Sequence, residues 1–418
     1  MHSPGLRELL TAPSCWQAQL ACRQIHSAPL PLETDVAVIG AGLGGLAAAQ
    51  RALEAGLSVT VLEANQVGSG GSGRNSGFVV PVPARHTPDS LNRCAGSGTG
   101  ALMAALQEAV QGVFERVPSA LRRGWLQPFT SAASTQVRTL AAGWRALGVD
   151  VDVLEDEALA QAIGTARYTT ALHFPNGGAI DPMALLRQLA NAIHHQGGSI
   201  IEHCPVVRIT PKDHRVTLET PAGCLNAGRV FIAGNAYGTG ASRMTRRAVG
   251  PLPLTLATFT LPRPGACSPL PFSDTHKDMW FARWLDTRTV LTGCFALPLQ
   301  RSPKTCSDLL QARLEGLYGY RPAAPRQQWA GWVGLTPDGL PKVHDDAGRV
   351  LSWSGCNGRG IALSLMMGRT LMDQLCGLAG PRLPLAGLGW PPGNVLAWLA
   401  QAVIARDRYR QRRTLLAS

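Results

Sequence analysis

Thr34–Ile39 is a short run in which Val36, Val38 and Ile39 supply apolar β-branched side chains, the pattern of a buried strand. Leu46–Ala55, rich in alanine and leucine, predicts a helix closed by Gly56, because glycine readily takes the left-handed C-terminal position. Ser58–Leu62 predicts a second strand. Further on, Asp181-Pro182 puts a side-chain cap before a proline at the first helical position and opens a helix to about Gln196. Strands near Ser199–His203, Val206–Thr210, Val216–Thr220 and Arg229–Ala233 follow. Met279–Trp284 and the stretch to Val290 alternate as a strand and its neighbour, Arg349–Ser354 is a further strand, and Gly360 opens a helix to about Gly377. Val395–Ala405 is amphipathic and runs into Arg406, Arg408, Arg410, Arg412 and Arg413, with Asp407 the sole acid. That segment reads as a surface helix with a solvated charged end. The order of elements predicts an α/β chain, α+β overall.

Composition narrows the class. The chain has 418 residues, of which 45% are hydrophobic and 16% charged, with 46 glycines and 30 prolines. Disordered chains are polar and highly charged, and collagen needs glycine at about every third position; both are excluded. No apolar run reaches the roughly 20 residues of a membrane span, and no apolar core of a signal peptide is present near the N-terminus. Ten cysteines are scattered without a C-x-x-C pair or zinc-type spacing, so reduced thiols, a cytoplasmic location and no metal site are expected. The net charge of +12 raises nucleic acid or an anionic surface as partners. The basic residues cluster densely only at the C-terminus, so nucleic acid is not expected.

The chemistry begins between the first strand and the first helix. Gly40-Ala41-Gly42-Leu43-Gly44-Gly45 satisfies G-x-G-x-x-G: Gly40 permits the tight turn, Gly42 lets backbone approach a pyrophosphate, and Gly45 lets helix and strand pack closely. The helix N-terminus offers unpaired N–H groups to phosphate. Glu63 ends the second strand at about the 20-residue spacing at which an acid accepts from a ribose diol. Dinucleotide binding follows.

Gly68-Ser69-Gly70-Gly71-Ser72-Gly73-Arg74-Asn75-Ser76-Gly77-Phe78 is a second glycine-rich loop, bearing hydroxyls, an arginine and an amide where a nicotinamide dehydrogenase would continue its alternation of strand and helix. Later come Trp329-Ala330-Gly331-Trp332-Val333-Gly334-Leu335 and Gly355-Cys356-Asn357-Gly358-Arg359-Gly360-Ile361. In their order and spacing these blocks resemble the D-amino-acid oxidase superfamily, in particular the branch of glycine oxidase, sarcosine oxidase and γ-glutamylputrescine oxidase-like proteins. The likeness covers roughly half of the chain, in blocks at about 34–80, 170–240, 275–295 and 329–378.

The resemblance implies a Rossmann-like FAD-binding domain, discontinuous over 34–149, 182–250 and 329–380, and an antiparallel-sheet substrate domain over 150–181 and 251–328. Residues 1–33 form an N-terminal arm and 381–418 a basic helical tail. By position, Gly40, Gly42, Leu43, Gly44, Gly45, Glu63 and Ala64 would hold the ADP half of FAD. Ser72, Gly73, Arg74, Asn75, Ser76 and Gly77 would lie along phosphates and flavin, with Val207, Ala233, Gly234 and Gly331 beside the cofactor. Gly358, Arg359, Gly360 and Ile361 would meet the flavin's pyrimidine edge, where the positive end of a helix dipole favours the reduced ring. No His lies in the second loop and Cys356 belongs to the helix start, so non-covalent FAD is expected.

The implied reaction is removal of a hydride from a carbon bearing nitrogen, to flavin N5, giving an imine that hydrolyses. The substrate would be an amine or amino acid and the acceptor oxygen or another carrier. Arg283, on a strand that faces the flavin in the family, is the candidate anchor for a substrate carboxylate, and His86, just after the second loop, is a candidate active-site residue. Both have bland readings, a sheet-rim ion pair with Asp286 and a solvated loop histidine. Trp280 and Trp284 are pocket walls or core packing, Tyr237 reads as structural, and Lys342 does not align with the lysine that some oxygen-using relatives keep near the flavin. Two alternatives stay open: a dehydrogenase passing electrons to a quinone or carrier protein, and an RNA-modifying flavoprotein.

Overall fold

The computed structural model describes residues 4–18, 29–117, 122–130, 133–238, 249–261, 269–298, 302–381, 383 and 393–415. Residues 1–3 and 19–28 of the expected N-terminal arm and 382, 384–392 and 416–418 of the expected tail lie outside these residues, as do the side chains of Arg412 and Arg413.

Two sheets organise the chain. The first has strand order 342–346, 350–354, 223–232, 33–39, 59–62, 199–201, with the hairpin 208–211 and 216–220 attached to the strand 223–232. The strand Glu33–Ile39 pairs in parallel with Gly223–Ile232 on one side and Val59–Leu62 on the other. Val36, Ala37 and Val38 are fully buried there, as the β-branched run predicts. Helix Leu43–Glu54 returns across the sheet and crosses helix Gly360–Cys376 so closely that a Cβ on Gly368 would come within 2.3 Å of the Gly44 carbonyl oxygen. The helix opened by Asp181 runs Pro182–His195, and Asp181 Oδ1 accepts from the Met183 and Ala184 N–H groups at 2.8 and 3.2 Å.

The second sheet is largely antiparallel, in the order 327–335, 250–260, 289–295, 281–284, 272–273, 122–128, 170–179, 78–79, with 152–155 paired to 170–179. Strands 78–79, 122–128 and 327–335 belong to this sheet, although their sequence positions fall in the segments expected to bind cofactor. The chain passes between the sheets more often than a segment-by-segment reading allows, and Trp329, Trp332 and Phe78 are carried to the boundary between them.

The C-terminal helix, Gly393–Leu415, departs from the expected solvated end. Arg408 is buried and donates through Nε to Asp278 Oδ2 at 2.7 Å and through Nη2 to Phe295 O at 2.8 Å. Arg313, also buried, joins the same carboxylate. Asp407 accepts from the Asp278 N–H at 3.0 Å, and Gln411 Oε1 accepts from Trp280 Nε1 at 2.8 Å. Amphipathic periodicity shows that such a helix has two faces; only the tertiary fold shows that a buried aspartate needs two arginines.

Candidate cofactor and substrate site

The strand Glu33–Ile39 ends at Gly40, whose φ of +103° is accessible to glycine and strained for other residues. Its N–H donates to Leu62 O at 2.9 Å. A Cβ on Gly45 would stand 1.9 Å from the Gly40 carbonyl oxygen, so the turn exists only without a side chain there. Helix Leu43–Glu54 has Gly42 as an N-cap that offers no side-chain hydrogen bond, which leaves its first N–H groups without a cap from that residue. Leu43 N–H meets Ser72 Oγ at 3.0 Å. Glu63 accepts from the Ala41 and Asn65 N–H groups at 2.8 and 2.9 Å, and burial holds its carboxyl above the usual value.

The second loop is held from outside. Asn75 clamps the loop internally, donating to Gly71 O and Ser72 O at 3.0 and 2.7 Å and accepting the Gly77 N–H at 2.8 Å. A Cβ on Gly73 would meet Gly68 O at 2.2 Å. Arg74 is buried, and its guanidinium donates to Ala330 O at 2.7 Å, to Leu9 O and Ala12 O at 3.1 and 2.7 Å, and to Gln17 Oε1 at 3.3 Å. The N-terminal segment reciprocates. Ser14 Oγ donates to Gly73 O at 2.7 Å, Trp16 Nε1 to Asn75 O at 2.8 Å, and Gln17 Nε2 to Gly68 O at 3.1 Å.

These N-terminal residues are absent from the expectations of the sequence, yet a signal was there. Ser14-x-x-Gln17 is a capping box, with Ser14 N–H on Gln17 Oε1 at 2.9 Å and Gln17 N–H on Ser14 Oγ at 3.2 Å.

In the third loop, Gly355 has φ +94° and a Cβ there would lie 2.2 Å from Thr336 Cγ2. Asn357 is buried and accepts the Thr336 N–H at 2.9 Å. Asn235 accepts the Gly355 N–H at 2.9 Å and donates to Cys356 Sγ at 3.2 Å.

The three loops surround one cavity of about 1280 Å³. Of the residues expected at the cofactor, Gly40, Gly42, Leu43, Gly44, Glu63, Ala64, Ser72, Arg74, Asn75, Ser76, Val207, Ala233, Gly234, Gly331, Gly358, Gly360 and Ile361 line it. Gly45, Gly73 and Gly77 shape the loops from behind. The antiparallel sheet contributes Phe78, Leu254, Leu256 and Trp332, and Leu10, Thr11, Pro13 and Gln17 of the N-terminal segment close another wall. Tyr237 was not expected as a lining residue. Its hydroxyl accepts the Trp332 N–H at 2.9 Å, and its ring covers Gly70 and Gly71.

Other expected site residues lie outside that lining. Arg283 is buried beneath the second loop, where Nη1 donates to Ser76 O and Ile180 O at 2.9 and 2.6 Å and the guanidinium stacks on Trp16. Burial brings it down to about 10. An arginine engaged in this way supports the loop; it does not present itself to a substrate carboxylate, and Asp286 instead accepts from the N–H groups of Arg288 and Thr289. His86 touches Ser90 Oγ through Nδ1 at 3.3 Å, and burial holds the ring below its usual value. Arg359 donates to Val82 O and Pro83 O at 3.3 and 3.0 Å and stacks over Trp125. Trp280 and Trp284 pack in the core of the antiparallel sheet, and Lys342 is buried against Asp338 at 2.5 Å.

The glycine cradle fits a pyrophosphate, the buried carboxylate of Glu63 fits a diol, and the same cavity is lined by the apolar side chains of Phe78, Leu254 and Leu256. Residues 35–374 match the family described as FAD dependent oxidoreductase. The chain belongs to that family. Over 213 residues it is 33% identical to gamma-glutamylputrescine oxidoreductase of Escherichia coli (strain K12), covering 49% of each chain, so it matches about half the length of that relative. It is 24% identical over 361 residues to a probable oxidoreductase, OrdL, of Rhizobium meliloti (strain 1021), covering 82% of this chain and 83% of the other. The fold is similar to that of glycine oxidase from Geobacillus kaustophilus, with a TM-score of 0.67 at 20% identity over 84% of this chain and 96% of that one. FAD is thus the cofactor of this FAD-dependent oxidoreductase. Among the described residues, no group of acidic, His and Cys side chains is arranged to hold a metal, and no helix is long and apolar enough to cross a membrane.

Proposed function

We propose that this chain oxidises the C–N bond of an amine or amino acid. The supporting observation is the continuity of the cavity, from the glycine cradle and Glu63 at one end to Phe78, Leu254, Leu256 and Trp332 on the antiparallel sheet at the other. Similarity to gamma-glutamylputrescine oxidoreductase supports an amine or amino acid as the substrate class. Bound FAD supplies the acceptor for the hydride that leaves the carbon bearing nitrogen.

The chain's own part is positioning, water exclusion and polarity. Gly40, Gly42 and the first N–H groups of helix Leu43–Glu54 take the pyrophosphate, and Glu63 takes the ribose hydroxyls. The N–H groups at the start of helix Gly360–Cys376 favour negative charge at that end of the cavity. The apolar wall keeps the substrate nitrogen neutral, so that its lone pair can form the C=N bond as hydride departs. Water then adds to the imine, giving a carbonyl compound and free amine or ammonia. Arg283 serves as a positioning residue for the second loop through Ser76 and Ile180, and His86 flanks the loop that follows. The cofactor is held non-covalently: Cys356 Sγ accepts a hydrogen bond from Asn235, and the second loop contains no histidine.

Turnover is tested by incubating the holoenzyme in air with γ-glutamylputrescine, putrescine, glycine and sarcosine while carbonyl product and peroxide are measured. Carbonyl product with equal peroxide supports an oxidase, and carbonyl product that needs an added acceptor supports a dehydrogenase. No product from any amine or amino acid with either acceptor contradicts the reading. Acid precipitation is expected to release the yellow chromophore into the supernatant.

A further inference from the structure

The short turn Asn235–Tyr237 follows strand Gly223–Ile232 and carries Tyr237 to the seam between the second glycine-rich loop and the antiparallel sheet. Asn235 pins the turn by accepting the Gly355 N–H at 2.9 Å. On the loop side the Tyr237 ring lies so close that a Cβ on Gly70 or Gly71 would stand 3.6 or 3.4 Å from its carbons. On the sheet side a Cβ on Gly331 would stand 3.3 Å from the hydroxyl. Glycines from two segments thus make room for one aromatic ring. The hydroxyl accepts the Trp332 N–H at 2.9 Å, and the residue lines the cavity. A hydroxyl has one hydrogen to give and two lone pairs. The side of the oxygen that meets the Trp332 N–H cannot hold its own hydrogen, so the O–H is turned away from strand Gln327–Leu335. Burial pushes the phenol up from its ordinary value, which keeps it a donor.

We infer that Tyr237 donates its phenolic hydrogen to a pyrophosphate oxygen of bound FAD. The pyrophosphate belongs at Gly40, Gly42 and the first N–H groups of helix Leu43–Glu54. Ser72 stands at that helix end, its Oγ accepting the Leu43 N–H at 3.0 Å. Gly70 and Gly71, the two residues before Ser72, lie against the Tyr237 ring, and a Cβ on Gly71 would come 4.0 Å from the hydroxyl. The hydroxyl therefore reaches the stretch of loop that meets the helix N-terminus. Arg74, the cation of this loop, spends its guanidinium on Ala330 O, Leu9 O, Ala12 O and Gln17 Oε1. Neutral donors, the backbone N–H groups and this phenol, then carry the anion, and a hydrogen bond to a charged acceptor is about twice as strong as one between neutral groups. Donation to the anion also makes the phenol oxygen a better acceptor for the Trp332 N–H, because linked hydrogen bonds polarise one another. Tyr237 in this way joins the cofactor to the sheet that bears Trp332.

The test compares full-length holoenzyme, wild type and Tyr237→Phe, by FAD affinity from flavin fluorescence and by phosphorus NMR of the bound cofactor. Phenylalanine keeps the ring against Gly70 and Gly71 and removes only the hydroxyl. FAD affinity is expected to fall at least about tenfold, and a pyrophosphate resonance is expected to shift. The Trp332 N–H loses its acceptor whether or not FAD is bound, so that loss by itself lowers the thermal midpoint and leaves the affinity unchanged. A second protein carries a ring-fluorinated tyrosine at the same position, measured near neutral pH. Fluorine strengthens the phenol as a donor and weakens it as an acceptor, so FAD is expected to be held at least as tightly as by wild type. Unchanged affinity and unchanged phosphorus resonances in Tyr237→Phe overturn the inference. Weaker FAD binding by the fluorinated protein also overturns it, since that is the sign expected of a hydroxyl that only accepts from Trp332.

Discussion

The first two glycine-rich loops at the cofactor cavity are built on different principles. The first, 40–45, is fixed by what it lacks. Within a few residues the chain turns from strand to helix, and the decisive contact, Gly45 against the Gly40 carbonyl oxygen, is local. The second, 68–77, is fixed by what reaches it from elsewhere: Ser14, Trp16 and Gln17 from the N-terminal segment, and Ala330 from the antiparallel sheet through Arg74. A local turn is insensitive to changes far away. A loop braced by distant donors and acceptors loses its shape when any brace is removed, although no residue of the loop has changed.

The largest effect that separates them is expected for Gly45→Val. A side chain at this position meets a backbone oxygen that cannot yield, so flavin content per chain should fall at least about tenfold, read from the absorption ratio of flavin to protein. Arg74→Ala comes next. It leaves the carbonyls of Leu9, Ala12 and Ala330 without this donor, costing about 2–4 kcal/mol in chemical denaturation. Arg74→Lys should recover only part, since an ammonium cannot span acceptors set for a planar guanidinium. Trp16→Phe keeps the ring under Arg283 but removes the donor to Asn75 O, and should cost about 1 kcal/mol with faster FAD release followed by flavin fluorescence. If Trp16→Phe left FAD release unchanged, the contrast between a local and a braced loop would be wrong.

The smallest effect is a pH dependence. Burial holds His86 below its ordinary value of 6.5, so the folded state binds fewer protons than the unfolded state as pH falls through that region. Stability present above about 6.5 is lost on acidification below it, and His86→Gln should flatten this slope in thermal midpoints measured between pH 5 and 7.

The contrast also explains what could be read from sequence. The first loop carries its constraint within a short window, so strand, turn, helix and Glu63 were all legible as one pattern. The helix at Asp181 was legible for the same reason, because cap and proline sit side by side. Arg74 was legible as a residue of the cofactor loop but its partners were not, since they come from residues 9, 12 and 17 and from a strand more than half a chain away. Arg283 shows the limit most clearly. Its strand was recognisable, but the direction of its guanidinium depends on Ser76, Ile180 and Trp16, three residues from separate segments. Arg408 is a similar case, one arginine of a visible cluster whose buried partner Asp278 no periodicity identifies.

The central claim is that this FAD-dependent oxidoreductase draws electrons from a C–N bond. The most direct measurement is the visible absorption of the purified holoenzyme without oxygen, recorded as γ-glutamylputrescine, simpler amines and amino acids are added in turn. Bleaching of the oxidised flavin band by at least one of them, with recovery on admitting air or an artificial acceptor, is the predicted result. A band that dithionite bleaches but no amine or amino acid does would contradict the account.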